Sequence, residues 1–142
     1  MMRIANAPIL LIEDDDVDAM TVKRALRDLK VSNPLERVEN GEEGLRRLRD
    51  AGKNMPCIIL LDLNMPIMNG VEFLAAINED TRLRLLPVVI LTTSEEERDK
   101  LETFQHGIAG YMTKPVGYSQ FVEVIRTINL YWTISELPPM PR

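Results

Sequence analysis

With 142 residues, 22 acids against 17 lysines and arginines, and 45% apolar residues, the chain has the size and make-up of one soluble domain able to bury a core. No apolar run approaches the ~20 residues of a membrane span, four acids sit directly behind the first apolar run where a secretory signal has none, and the lone Cys57 excludes a disulfide framework. The net charge of -5 argues against broad nucleic-acid binding, and because five acids fall within Glu13–Asp18 it is one local feature on an otherwise balanced chain. A cytoplasmic protein that binds neither membrane nor nucleic acid directly is expected.

The first predicted element is the apolar run Ile9–Ile12, too short for a helix and without polar alternation, as a strand covered on both faces should be. Val17–Lys30 then has helical spacing, with Met20, Val22, Leu26 and Leu29 along one face and Asp15 or Asp16 able to cap its start. A second strand is expected at Leu35–Val38, followed by a helix that opens with the capping pair Asn40 and Glu43 and stops near Gly52. The third strand, Cys57–Leu61, leads to a helix opened by Asn69 and Glu72. The fourth strand, Val88–Leu91, leads to one opened by Ser94 and Glu97 and closed near Gly107. The fifth strand is Ala109–Met112, and a last helix runs from about Tyr118 to Trp132.

Five β-α units in a row imply an α/β fold: a doubly wound, five-stranded parallel sheet, (βα)5, with helices on both faces. The flavodoxin-like order 2-1-3-4-5 is expected, which places a ligand site beyond the carboxyl ends of strands one and three. The residues found there are chemical ones. Strand one ends in Glu13 and Asp14 and strand three in Asp62, a set of carboxylates that repel one another unless a divalent ion is present; hard oxygen ligands in this number suit Mg²⁺. Thr92 ends strand four and Lys114 follows strand five. Carboxylates, a metal, a hydroxyl and an ammonium fit phosphoryl transfer, with Asp62 as the nucleophile between the metal pair and the Thr92 and Lys114 side.

Taken together, Glu13-Asp14, Asp62 in LLDLNMPIMNG, Thr92 in VVILTTS, and Tyr111 with Lys114-Pro115 in GYMTKP resemble the receiver domain of two-component response regulators, over about residues 8 to 130. The resemblance implies that Asp62 accepts a phosphoryl group from a sensor histidine kinase. It implies that Glu13, Asp14, Asp62 and the backbone carbonyl of Asn64 hold Mg²⁺, for which Mn²⁺ can substitute. Thr92 and Lys114 would bind phosphoryl oxygens, Thr92 and Tyr111 would form the switch, and Pro115 would follow a cis peptide that aims the lysine. Asn64 and Ser94 would tune dephosphorylation. The implied role is that of a signalling phosphoacceptor, enzymatic only toward its own phosphorylation and hydrolysis. Two departures stand out: Glu13 where Asp is also common, and Thr93 where many receivers have Ala or Gly.

The stretch LTTSEEERD, the RLRLLP before strand four and the tail NLYWTISELPPMPR are similar to stand-alone receivers that partner bacterial phytochrome-type kinases. The expected division is a receiver over 8–132 and an apolar, proline-rich tail over 133–142, with no output domain. Leu130, Tyr131, Trp132, Ile134 and Leu137 are more apolar than a free end should be, so a homodimer is expected through the C-terminal region and the face of helix four, strand five and helix five. Helix four, with Leu101 and Phe104 as its chief core residues, is expected to be loosely held.

Plainer readings apply to several residues. Asp15, Asp16 and Asp18 read as helix-start acids, Cys57 as a small core residue, and His106 as a helix-end histidine. A haloacid-dehalogenase-like phosphohydrolase would need an acid where Asn64 stands, and a flavodoxin-like nucleotide or flavin protein would need a glycine-rich loop after strand one. A degenerate receiver acting only as a scaffold would not retain the acid, threonine and lysine set.

Overall fold

The computed structural model describes residues 7–50, 52, 54–63, 67–92, 108–113, 119 and 121–123, with Thr92 and residues 108–113 described as backbone. Five strands, β1 (Ile9–Ile12), β2 (Leu35–Val38), β3 (Ile58–Asp62), β4 (Val88–Thr92) and β5 (Ile108–Thr113), form one sheet in the order β2-β1-β3-β4-β5. Every pairing is parallel. The expected order is therefore the observed one, and β1 and β2 begin and end where their apolar runs do. β3, β4 and β5 each end one residue beyond their runs, because a ladder continues through Asp62, Thr92 and Thr113 whatever their polarity; β3 begins one residue later than its run, at Ile58, and β5 one earlier, at Ile108.

Among the described residues three α-helices lie between the strands: α1 (Asp16–Asp28), α2 (Gly41–Arg49) and α3 (Gly70–Asn78). Each is started by a side chain that accepts from a backbone N–H: Asp15 for α1, Asn40 for α2 and Asn69 for α3. At Asn69 the full reciprocal box with Glu72 is present. At Asn40 it is not, because the Glu43 carboxylate accepts from the Glu39 N–H, one residue upstream of the cap. Gly52, with φ +57, takes the left-handed conformation shortly after α2.

The sheet separates two apolar layers. Alternate residues Ile9 and Leu11 of β1, Ile58 and Leu60 of β3, and Val89 and Leu91 of β4 pack with α1 and with Phe121 from the helical residues 121–123. Their neighbours Leu10, Ile12, Ile59, Leu61 and Ile90 pack with α2 and α3. On α1 the buried positions are Ala19, Val22, Ala25 and Leu26, whereas Met20, expected on that face, is 59% exposed. At 3.6 residues per turn Met20 lies about 120–180° around α1 from Val22, Leu26 and Leu29, so helical periodicity takes it off their stripe. Cys57 is buried immediately before β3, as a small core residue. The expectations for Ser94, Glu97, Leu101, Phe104, His106 and Gly107, and for the tail beyond residue 123, lie outside the described residues.

Candidate functional site

The pairing of β1 with β3 builds the site. Ile12 is in register with Leu61, so the next residues, Glu13 and Asp62, arrive side by side at the carboxyl edge of the sheet. Both continue the pleat of the residues that face α1: Glu13 follows Ile9 and Leu11 at period two, and Asp62 follows Ile58 and Leu60. Glu13 and Asp62 are buried, at 0% and 1% exposure, while Asp14 is open to solvent. One carboxylate oxygen from each of Glu13, Asp14 and Asp62 lies within 4.8 Å of the other two. Carboxylates gathered this closely in a poorly hydrated edge are costly without positive charge. Two buried oxygens and one solvent-facing oxygen fit a Mg²⁺ ion that keeps some of its waters.

The turn carrying these acids is held by its own backbone. The Glu13 N–H donates to Val38 O at 3.0 Å, and the Asp15 N–H donates to a Glu13 carboxylate oxygen at 3.1 Å. The Asp15 carboxylate accepts from the Asp18 N–H at 2.9 Å, which caps α1. Asp15 thus takes the plain capping role expected of it. On the other strand, Gly70 presses against the residue that carries the third acid. A Cβ there would stand 2.6 Å from Asp62 O and 2.7 Å from Leu63 Cα, and the Gly70 N–H donates to Leu63 O at 3.0 Å.

Thr92 ends β4 and is in register with Thr113 of β5, while Tyr111 is paired with Ile90. Both backbones thus belong to the strands assigned to them. Asn64, Ser94, Lys114 and Pro115 lie outside the described residues.

One residue at the site was not singled out from the sequence. Arg37 of β2 donates from Nε to the Glu13 carbonyl at 2.9 Å and pairs through Nη1 with Asp16 at 2.8 Å. Its register partner is Leu11, which places it on the face of Glu13, one pleat back. Strand parity combined with the 2-1-3 order would have located it, since Arg37 is the basic residue of the run LERV. Asp16, expected to do no more than favour the helix dipole, supplies the counter-charge for this arginine.

Comparison with known proteins agrees with this geometry. The family model described as the response regulator receiver domain matches residues 9–126. A probable methanogenesis regulatory protein, FilR2, of Methanothrix harundinacea is 34% identical over 127 residues, covering 87% of this chain and 82% of its own. The response regulator Rcp1 of a Synechocystis species is 31% identical over 134 residues, covering 90% and 91%. Rcp1 has been solved in a Mn²⁺-bound form, to which this chain is similar with a TM-score of 0.70, covering 89% of this chain and 94% of that one. The bacteriophytochrome response regulator RtBRR is 39% identical with a TM-score of 0.79, covering 87% of this chain and 78% of that one.

Proposed function

The chain belongs to the response regulator receiver family of two-component signalling, and from that premise we propose that Asp62 accepts a phosphoryl group from a sensor histidine kinase in a Mg²⁺-dependent reaction. The observation that carries this reading is the convergence of Glu13, Asp14 and Asp62, with ligand oxygens within 4.8 Å, at the carboxyl ends of β1 and β3. In the reaction, an oxygen of Asp62 forms a bond to phosphorus while the bond from phosphorus to the donor's imidazole nitrogen breaks, and the imidazole takes a proton from water. Glu13, Asp14, Asp62 and the Asn64 carbonyl would hold the metal, Mg²⁺ or Mn²⁺, which would neutralise charge on the transferring oxygens. Thr92 donates to one phosphoryl oxygen and Lys114 pairs with another, its direction set by the bond to Pro115. Tyr111 follows Thr92 as the switch, and Asn64 and Ser94 govern access of the hydrolytic water.

The partner class we infer is a phytochrome-type kinase, supported by the RtBRR likeness, and the site of action is the cytoplasm. Among the described residues no helix is long and apolar enough to cross a membrane. The receiver spans 8–132, and the 133–142 tail joins two copies together with the face of helix four, β5 and helix five. Output then passes through phosphorylation-dependent binding or dimerisation. Sedimentation with and without phosphodonor is expected to detect dimers; monomers at high concentration in both conditions would remove that part of the reading.

Incubation with Mg²⁺ and acetyl phosphate, followed by intact-mass measurement, tests the core of the proposal. Wild type is expected to gain one labile phosphoryl group, and Asp62→Asn none. No gain in wild type, or an equal gain in the variant, defeats it. Adding candidate kinases one at a time and comparing transfer rates tests the partner class.

A further inference from the structure

Arg37 brings a positive charge to a site whose sequence neighbourhood has none. Its Nε and Nη1 are engaged by the Glu13 carbonyl and Asp16, and its Nη2 is buried with no hydrogen-bond acceptor among the described residues. The turn that it touches does not depend on it for shape, because the ladder bond from Glu13 to Val38, the Asp15 N–H bond to Glu13 and the Asp15 cap already hold that turn. What Arg37 adds is charge. Asp16 is 83% exposed, so water screens its neutralising effect, while Arg37 bonds the Glu13 carbonyl from the sheet face on which the buried Glu13 side chain lies, which puts its charge beside the acid cluster. That charge offsets carboxylate repulsion when no ion is bound, and it repels an ion that arrives.

Resting on the metal site proposed above, we propose that Arg37 is a positioning residue of electrostatic kind: a resident counter-charge that stabilises the metal-free acid cluster and weakens its affinity for Mg²⁺. The site is then tuned toward reversible occupancy, and a partner that drew Arg37 away would tighten metal binding.

Calorimetric titration with Mg²⁺ alone, on wild type, Arg37→Gln, Arg37→Lys and Arg47→Gln, tests this. Arg47→Gln removes the same charge from α2, where Arg47 pairs with Glu36. In Arg37→Gln the Kd for Mg²⁺ is expected to tighten by about three- to tenfold, the order of effect of removing one well-screened like charge from beside a divalent ion. Arg37→Lys and Arg47→Gln are expected to stay within about twofold of wild type, as charge retained or charge removed elsewhere should. In EDTA, Arg37→Gln is expected to melt below wild type, with the gap closing as Mg²⁺ is added. An unchanged or weaker Kd in Arg37→Gln, or a melting deficit that Mg²⁺ does not close, overturns the inference and leaves the metal site standing. Absence of Mg²⁺ binding in wild type overturns both. If Arg37→Gln fails to fold, Arg37→Met, which keeps the apolar stem of the arginine, takes its place in the same titration.

Discussion

Ile67 stands 74% exposed with φ +67, a left-handed backbone that a β-branched side chain strongly disfavours. It lies between Asp62 and α3, so its cost falls on the loop behind the acid cluster, where strain of this kind tends to be retained. Asparagine tolerates this conformation, and Ile67 has little buried surface to lose. Ile67→Asn is therefore expected to raise stability by about 1 kcal/mol in urea unfolding. Gly70 is the opposite case, a residue with no tolerance, because its missing Cβ is where Asp62 O and Leu63 Cα lie. These are backbone atoms that cannot turn aside. Gly70→Ala is expected to cost about 1–3 kcal/mol and to slow acetyl phosphate labelling of Asp62, read by unfolding and by intact mass on the same preparation.

At the scale of elements, the short 3-10 turn at Leu83–Leu85 leads into β4 and is capped by Asp80. The N–H of Leu83, and then that of Arg82, hold the Asp80 carboxyl below its ordinary value of 3.8. A carboxyl depressed on folding contributes stability that is present above 3.8 and lost as pH falls through the lowered value. Asp80→Asn is expected to flatten the acid limb of the stability profile below about pH 4, measured by thermal melting across pH. Elements were legible in the sequence where one local force decides them. The runs ILLI and LERV coincide with β1 and β2, and Asn69 with Glu72 forms the box that its spacing announces. Two misreadings were local: Met20 lies on the far side of α1 from Val22 and Leu29 by helical periodicity, and the Glu43 carboxylate accepts from the Glu39 N–H instead of closing the box at Asn40. The acid trio was readable because strand ends and sheet order are both written in the pattern. Arg37 was not, because its role depends on the register of β2 against β1.

For the whole molecule, the acidic excess of 22 over 17 and the five acids of Glu13–Asp18 make the net charge largely a property of one sheet edge. A cation bound there acts on the global stability. At a Mg²⁺ concentration of 100 times Kd, binding to the native state alone adds about 2.7 kcal/mol, and the melting temperature should rise accordingly. In Asp62→Asn, which loses one carboxylate of the acid cluster, the Mg²⁺-dependent rise is expected to shrink; an equal rise in both proteins would place the metal elsewhere. The joining of Glu13 and Asp62 across β1 and β3 has a consequence for folding as well. These strands meet only after the chain between them has closed a long crossover, and a slip of one residue in β3 would turn Asp62 to the face of α2 and α3, away from Glu13. Correct alignment of the central strands and assembly of the ion site are therefore one event, so the onset of Mg²⁺ binding during refolding times the moment at which the sheet commits to its register.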